Sequence, residues 1–398
     1  MKKLSLLLTF VMMTNILNAF DAQMARGRQL VPVTKTDISL VKEIFNYKKR
    51  DMTVYVDVYY EFYNPSDKVT NLTVGFEAPG NGWNSDEPNE NVFTTDCFIS
   101  DFRVEVNGQV QKHNAVPVDE SVIWDLDNRD ELMPHFYGGK VNVLSPEKIQ
   151  QYKKYDPICG FEFPVAYYMD ISFKPGVNIV RNTYKSVLPG EDPTYEHIYY
   201  IELESACRWA NGQIDDFTLN VDFGEAQSFF LRYPEVCNLN SWKVVGYGSE
   251  VDDIDEEMGL TIPDYKVRCF SVRNGYVTMN MRDFKPKSAV TVYRWLTFPD
   301  HSTDLVSFYI NNDYRGLGFD LSSLKYHDMP ALTAEKVRIL RNLPFAYRGC
   351  IFKSESLNAV YKKAKWYHPN KDYVSDMNAL TKSEQDWVKY WSNYKCQN

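Results

Sequence analysis

The sequence predicts a mainly β chain: an antiparallel β-sandwich region, one sandwich or two, followed by a small three-helix C-terminal module. Three observations predict it. Thr53 to Tyr63 (TVYVDVYYEFY) places Val54, Val56, Val58, Tyr60 and Phe62 on one side of an extended chain. Thr53, Tyr55, Asp57, Tyr59, Glu61 and Tyr63 fall on the other side, the period of two of a half-buried strand. About a dozen such segments, and one short helix, follow one another up to Phe298. Near Pro330 the spacing of apolar residues changes to that of helices.

Met1-Lys2-Lys3 and the apolar run Leu4 to Ile16 read as a secretory signal peptide, residues 1–19, with Ala19 or Ala22 as the small residue for cleavage. The run is too short for a comfortable membrane span and no later stretch approaches that length, so no membrane span is expected in the mature chain. Localisation is expected to be periplasmic or extracellular. The β-sandwich region is assigned to residues 20–330 and the helical module to 331–398.

Asn64-Pro65-Ser66-Asp67 reads as a turn leading to Leu72, Val74 and Phe76, so the first two strands read as a hairpin. Asn107-Gly108 fits a type I′ turn between Phe102-Val104-Val106 and Gln109-Val110. Pro146 to Tyr155 reads as a short helix with proline in its first turn. Strands are expected at Ala166–Phe173, Val177–Tyr184 and His197–Leu203, with Pro175-Gly176 turning the chain between the first two. Phe217, Leu219 and Val221 follow, and Ala289–Phe298 is the last strand. Val267 to Val272 and Val277 to Met281 read as a second hairpin, turned by Asn274-Gly275.

Thr333 caps a helix that Pro344 is expected to end at Leu343. Leu357, Val360, Tyr361 and Ala364 mark a second helix. Thr381 and Glu384 form a capping box for a third, which carries Trp387, Val388, Trp391 and Tyr394 on one side.

The chain carries a formal net charge of -9 over 398 residues and shows no basic stripe, which argues against nucleic-acid binding. Aromatic residues make up 15% of the chain, a level that suits β-sheets and also carbohydrate- or peptide-binding surfaces. Seven cysteines leave at least one thiol unpaired; none forms a CxxC pair, and Cys350 with Cys396 is the expected disulfide.

No catalytic residue, metal ligand or cofactor is singled out. GxSxG and HExxH are absent, and the six histidines are scattered. Asp125, Asp127, Asp130 and Glu131 form a carboxylate-rich stretch that reads as a solvated loop or helix face. Glu250 to Glu257 lacks the alternation and the glycine of a calcium loop.

The segment Thr333–Cys396 resembles the YARHG domain, a small extracellular bacterial module. Leu340-Arg341-Asn342 precede the motif, which here reads Phe345-Ala346-Tyr347-Arg348-Gly349, with Tyr-Arg in place of the family's Arg-His. Phe352, Leu357, Tyr361, Trp366-Tyr367, Pro369, Leu380 and Glu384 follow the family's spacing. The β region resembles secreted bacterial domains of unassigned function, through its early hairpin, Lys174-Pro175-Gly176 with Tyr184 beyond, and the strand running into Arg208-Trp209 and Gly212.

The YARHG resemblance implies an envelope-associated or extracellular role that involves binding. The chain therefore reads as a non-catalytic binding or structural protein contacting a cell-wall polysaccharide or an envelope protein. Arg348, Trp366 and Tyr367 are the expected binding residues, the rings to stack and the guanidinium to fork onto carboxylates. The alternatives are a glycan-acting hydrolase with an unmarked carboxylate pair and a protein–protein assembly module using strand edges.

Overall fold

A strand whose one face is wholly apolar needs a second layer to cover it, and β4 (Thr53–Asn64) carries that requirement through the whole fold. The computed structural model describes residues 25–27, 29–50, 53–82, 99–118, 139–155, 162–187, 197–224, 227–234, 241–251, 265–294, 296–297, 304–311, 316–317, 319, 321, 324 and 332–395. The signal-peptide stretch, the carboxylate-rich stretch from Val122 to Tyr137 and most of the acidic run after Glu250 lie outside the described residues.

The first half of the chain contains β1 (Ala25–Gly27), β2 (Val31–Pro32), β3 (Ser39–Arg50), β4, β5 (Thr70–Gly82), β6 (Ile99–Val106), β7 (Gln109–Val110), β8 (Asn114–Pro117) and helix α1 (Pro146–Tyr155). β9 (Glu162–Phe173), β10 (Gly176–Val187), β11 (His197–Ile201), β12 (Ile214–Asp222), β13 (Gln227–Pro234), β14 (Trp242–Val251), β15 (Tyr265–Phe284), β16 (Val290–Arg294) and β17 (Leu296–Thr297) follow. The remainder is α2 (Leu305–Asn311), β18 (Gly316–Leu317), α3 (Ala334–Tyr347), α4 (Glu355–Tyr361) and α5 (Lys382–Asn393).

A 12-stranded sheet runs in the order β1-β11-β16-β13-β15-β12-β3-β4-β10-β6-β7, with β14 on β15; a four-stranded sheet runs β2-β5-β9-β8. The large sheet folds back on itself. β12 and β13 pair with successive stretches of β15, then part company, β12 continuing to β3 and β13 to β16. As a result Tyr47 on β3 meets Tyr199 on β11 at 4.9 Å between ring centroids, and the hydroxyls of Tyr184 and Tyr199 lie 3.4 Å apart. The four-stranded sheet covers the rest of the same face, with Phe173 against Phe62 and Phe76 against Tyr184. One continuous apolar core results, so the β region is a single sandwich.

Two expected hairpins are not formed. β4 is flanked on both edges by β3 and β10, so β5 crosses to the opposing sheet and pairs with β2 and β9. Buried Asn64 clamps that crossing, its amide donating to the carbonyls of Lys68 (3.0 Å) and Phe173 (2.9 Å). At the second site, β15 runs straight through Asn274-Gly275 as one 20-residue strand. A type I′ turn needs positive φ at both central residues; Asn107 and Gly108 have φ of 50° and 81°, whereas Asn274 is not among the positive-φ residues. Gly275 (φ +107°) instead lies against Gly246, where an added Cβ would meet the carbonyl oxygen of Val245 at 2.0 Å. The glycine is required by close backbone approach rather than by a reversal.

The helices form a second core with Trp387, Trp391, Tyr361 and Trp366 at its centre. That core also takes in Leu305, Tyr309 and Ile310 of α2 and Phe319, all upstream of the boundary expected at 331. α3 does not stop at Leu343 but continues through Pro344 to Tyr347. Proline removes the N–H that would bond the carbonyl four residues back. That carbonyl, on Leu340, accepts instead from the indole Nε1 of Trp387 at 2.7 Å. The Thr381–Glu384 capping box forms as expected. Cys350 is a free, buried thiol, so the expected pairing with Cys396 is not made; Cys396 itself lies outside the described residues.

Candidate functional site

The three residues expected to bind are all inside the helical module. Arg348 is 3% exposed and forms a two-pronged pair with Glu384, Nη1 to Oε1 at 2.7 Å and Nη2 to Oε2 at 2.9 Å. Its Nη1 also donates to the carbonyl of Pro344. Glu384 Oε2 in turn accepts from the amide of Thr381 at 2.8 Å, so one carboxylate joins the end of α3 to the start of α5. Trp366 Nε1 donates to the carbonyl of Tyr309, and Tyr367 Oη donates to the carbonyl of Cys350. Trp366 and Tyr367 are 4% and 7% exposed, so their ring faces meet neighbouring rings rather than solvent.

The motif also seats the module on the sandwich. Tyr347 shares a 2.8 Å hydrogen bond with Ser228 of β13, which shares another with Ser271 of β15. The guanidinium of Arg273 lies 4.0 Å from the Tyr347 ring centroid and donates to the carbonyl of Trp366 at 2.7 Å. Tyr247 Oη donates to the carbonyls of His368 and Pro369. Burial, then the charge of Arg273, lowers the pKa of His368 and so favours the neutral ring. Gly349 (φ +87°) turns the chain where a Cβ would meet the carbonyl oxygen of His368 at 2.4 Å. These contacts are internal; they hold the two cores together.

A surface of different character lies on the outward side of the strands around β4. The outward positions of β10, β4, β3, β12 and β15 line up in cross-strand rows fixed by register. The first row is Lys185–Tyr55–Lys48–Asp222, and the second is Thr183–Asp57–Asn46–Asn220–Thr278. Arg181–Tyr59–Ile44–Thr218–Asn280 and Ile179–Glu61–Lys42–Asp216–Arg282 come next, and Val177–Tyr63–Ser39 closes the set. Five strands about 4.8 Å apart make this face about 19 Å wide.

Within the second row, Asn220 donates to Asn46 at 2.8 Å and Thr278 donates to Asn220 at 2.7 Å. Arg181 grips Asp57 with two hydrogen bonds of 2.8 and 2.6 Å, and these hold the guanidinium pKa above its ordinary value. Tyr55 and Tyr63 are 41% and 44% exposed, and Tyr59 is half-buried with its hydroxyl donating to Glu61 at 2.9 Å. Burial first, then that carboxylate, raises the Tyr59 pKa. Lys185, paired with Asp101, lies 5.7 Å from the centroid of the Tyr55 ring. Four residues at about 3.4 Å each separate successive tyrosines by roughly 13–14 Å along β4. The arrangement is a flat face of tyrosine rings set in paired charges, amides and hydroxyls.

Sequence reasoning placed these tyrosines on the solvent side of β4 but not across from Arg181 and the Asn–Thr row. That juxtaposition depends on which strands flank β4, and period-two alternation does not encode partners.

Among the described residues, a strongly perturbed carboxyl sits elsewhere. Glu43 is wholly buried between the layers, where burial pushes its pKa up to about 8. The Gln29 amide donates to both its oxygens, at 2.7 and 2.6 Å, and Ser205 Oγ donates to Gln29. Glu43 is 0% exposed, so it does not reach a substrate. Among the described residues no group of three or more His, Cys, Asp or Glu could hold a metal ion.

Residues 320–395 match the YARHG domain, in agreement with the resemblance read from the motif. No curated protein matches the chain. Among solved structures, one that is similar is a Legionella pneumophila protein described as a "putative nutrient binding protein". It is 16% identical, has a TM-score of 0.47, and the match covers 92% of this chain and 97% of that one. No helix among the described residues is long and apolar enough to cross a membrane.

Proposed function

We propose that the protein is an exported, non-catalytic binding protein that contacts a cell-wall polysaccharide through the tyrosine face of β4, β10 and β3. The observation that carries this reading is the exposed pair Tyr55 and Tyr63, with Tyr59 between them, beside the ion pairs Arg181–Asp57 and Lys185–Asp101. Sugar rings stack on aromatic faces through their C–H groups and hydrogen-bond sideways to amides, hydroxyls and carboxylates. A protein partner would favour a broader apolar patch. Here only Val177 and Ile179 join the tyrosines as exposed apolar neighbours on these strands. The YARHG match and the signal-like leader support a periplasmic or extracellular setting.

In this reading Arg348, Trp366 and Tyr367 serve binding only indirectly. They keep the module folded and seated on β13 and β15. The chain divides into the sandwich and then the helical module, with α2 grouped with the helices.

The test is co-sedimentation of the mature protein with insoluble peptidoglycan and with a panel of envelope polysaccharides. The wild type should be retained by at least one polymer. Tyr55→Ala and Tyr63→Ala should each lower retention about two- to tenfold, since stacking contributes roughly 0.5–1.5 kcal/mol per ring. Retention unchanged in the double variant would move the site elsewhere. Retention by no polymer, with capture of an envelope protein instead, would favour the assembly-module alternative.

A further inference from the structure

The helical module has an open groove that the proposed polymer face does not use. It lies between the first two turns of α3 and the middle of α4, and is lined by Ala334, Glu335, Arg338, Ile339, Leu357 and Val360. Its volume is about 320 Å³, at the lower end of the roughly 300–1,000 Å³ of small-molecule sites. The floor is aliphatic: Ile339 and Leu357 are 4% and 5% exposed, and Val360 packs partly on the module's core. The rim carries one charge of each sign, Glu335 and Arg338, three residues apart on α3 and hence on the same side of the helix.

Neither rim charge has an ion-pair partner among the described residues, and they do not pair with each other. The nearby Lys336 is differently placed, being bonded to Asp304. Ser356 adds a hydroxyl to the lining. A small cavity with an aliphatic floor and two opposite, uncommitted charges at its mouth is complementary to a molecule with the same three features.

We propose that this groove binds a free α-amino acid in its zwitterionic form and with an aliphatic side chain. The side chain lies on Ile339, Leu357 and Val360. The ammonium meets the Glu335 carboxylate and the carboxylate meets the Arg338 guanidinium. Arginine suits the second role because its planar fork matches a carboxylate. Neutral sugars lack both charges and a purely apolar ligand leaves both rim groups unused, so the site selects against each. The contacts are few and open to solvent, so affinity should be in the micromolar to millimolar range.

The experiment is a calorimetric or ligand-observed NMR titration of the full-length mature protein with L-leucine, run beside N-acetyl-leucine amide, which keeps the side chain and loses both charges. The expected result is saturable binding of leucine and at least tenfold weaker binding of the capped compound. Arg338→Gln and Glu335→Gln are exposed rim changes that leave the aliphatic floor intact. Each should weaken leucine binding at least fivefold with no change in far-UV circular dichroism. Absence of saturable leucine binding, equal binding of the capped compound, or unchanged binding in both variants would each overturn the proposal. Tyr55→Ala should leave leucine binding unchanged, so failure here is distinguishable from failure of the polymer face.

Discussion

Arg348 and Glu384 are each almost fully buried, and neither can lose the other without stranding a charge. Removing one partner of such a pair costs about 3–5 kcal/mol, whereas replacing both by apolar residues can be close to neutral. Arg348→Ala should therefore destabilise the module by about 3 kcal/mol or more in denaturant unfolding. The pair Arg348→Met with Glu384→Leu should recover most of that loss, short of about 1 kcal/mol for the cap on Thr381.

Glu43 tests burial in the other core. The native state holds its proton up to about pH 8, while the unfolded chain releases it near the ordinary value of 4.5. Stability from this group is thus complete below pH 4.5 and falls as pH rises toward 8, by at most about 1.4 kcal/mol per pH unit. Glu43→Gln should flatten the difference in stability between about pH 5 and pH 8, and equal slopes in variant and wild type would contradict the assignment. Residue identity announced the chemistry of Arg348, Trp366 and Tyr367 but not their side. A guanidinium and two large rings serve a core or a surface equally well until the neighbours are known.

At the scale of elements, α3 shows how a helix tolerates an internal proline. The Leu340 carbonyl freed by Pro344 accepts from Trp387, so Trp387→Phe leaves a buried acceptor without a donor. That should cost about 1–3 kcal/mol. In a Pro344→Ala background the helix supplies its own N–H, and the cost of Trp387→Phe should shrink by at least half. Equal costs in both backgrounds would mean the indole does not replace the missing bond. The same element shows the limit of sequence reading. A proline was visible, but a tryptophan 43 residues later that satisfies its consequence was not.

Strands divide in the same way. Alternation along β4 and β12 identified which side chains enter the core, and the burial patterns agree; on β10 the apolar Val177 and Ile179 are exposed while Asn178 and Asn182 are buried. Alternation could not say that β4 has partners on both edges, or that Asn274-Gly275 stays within one strand. Turn residues identify a reversal only where the backbone beyond them returns to the same sheet.

For the whole molecule, two cores meet across a joint of few polar contacts: Tyr347 to Ser228, Arg273 to Trp366, and Tyr247 to His368 and Pro369. The module covers one outer surface of the sandwich, and the tyrosine face lies on the layer formed by β10, β4 and β3. This separation predicts that the joint can be weakened without touching polymer retention. Tyr347→Phe deletes one buried hydrogen bond, leaves Ser228 bonded to Ser271, and should cost about 1 kcal/mol or slightly more. Its retention by polymer should equal that of the wild type.

Polysaccharide binding is proposed for the face of β4 and its neighbours. The most direct measurement is a binding isotherm for a soluble fragment of the retained polymer, taken with wild type and with the triple variant Tyr55→Ala, Tyr59→Ala, Tyr63→Ala. Saturable binding is expected for the wild type, and at least about tenfold weaker binding for the triple variant, with both proteins unfolding at similar denaturant concentrations. Equal affinity in two equally stable proteins would contradict polysaccharide binding at this face.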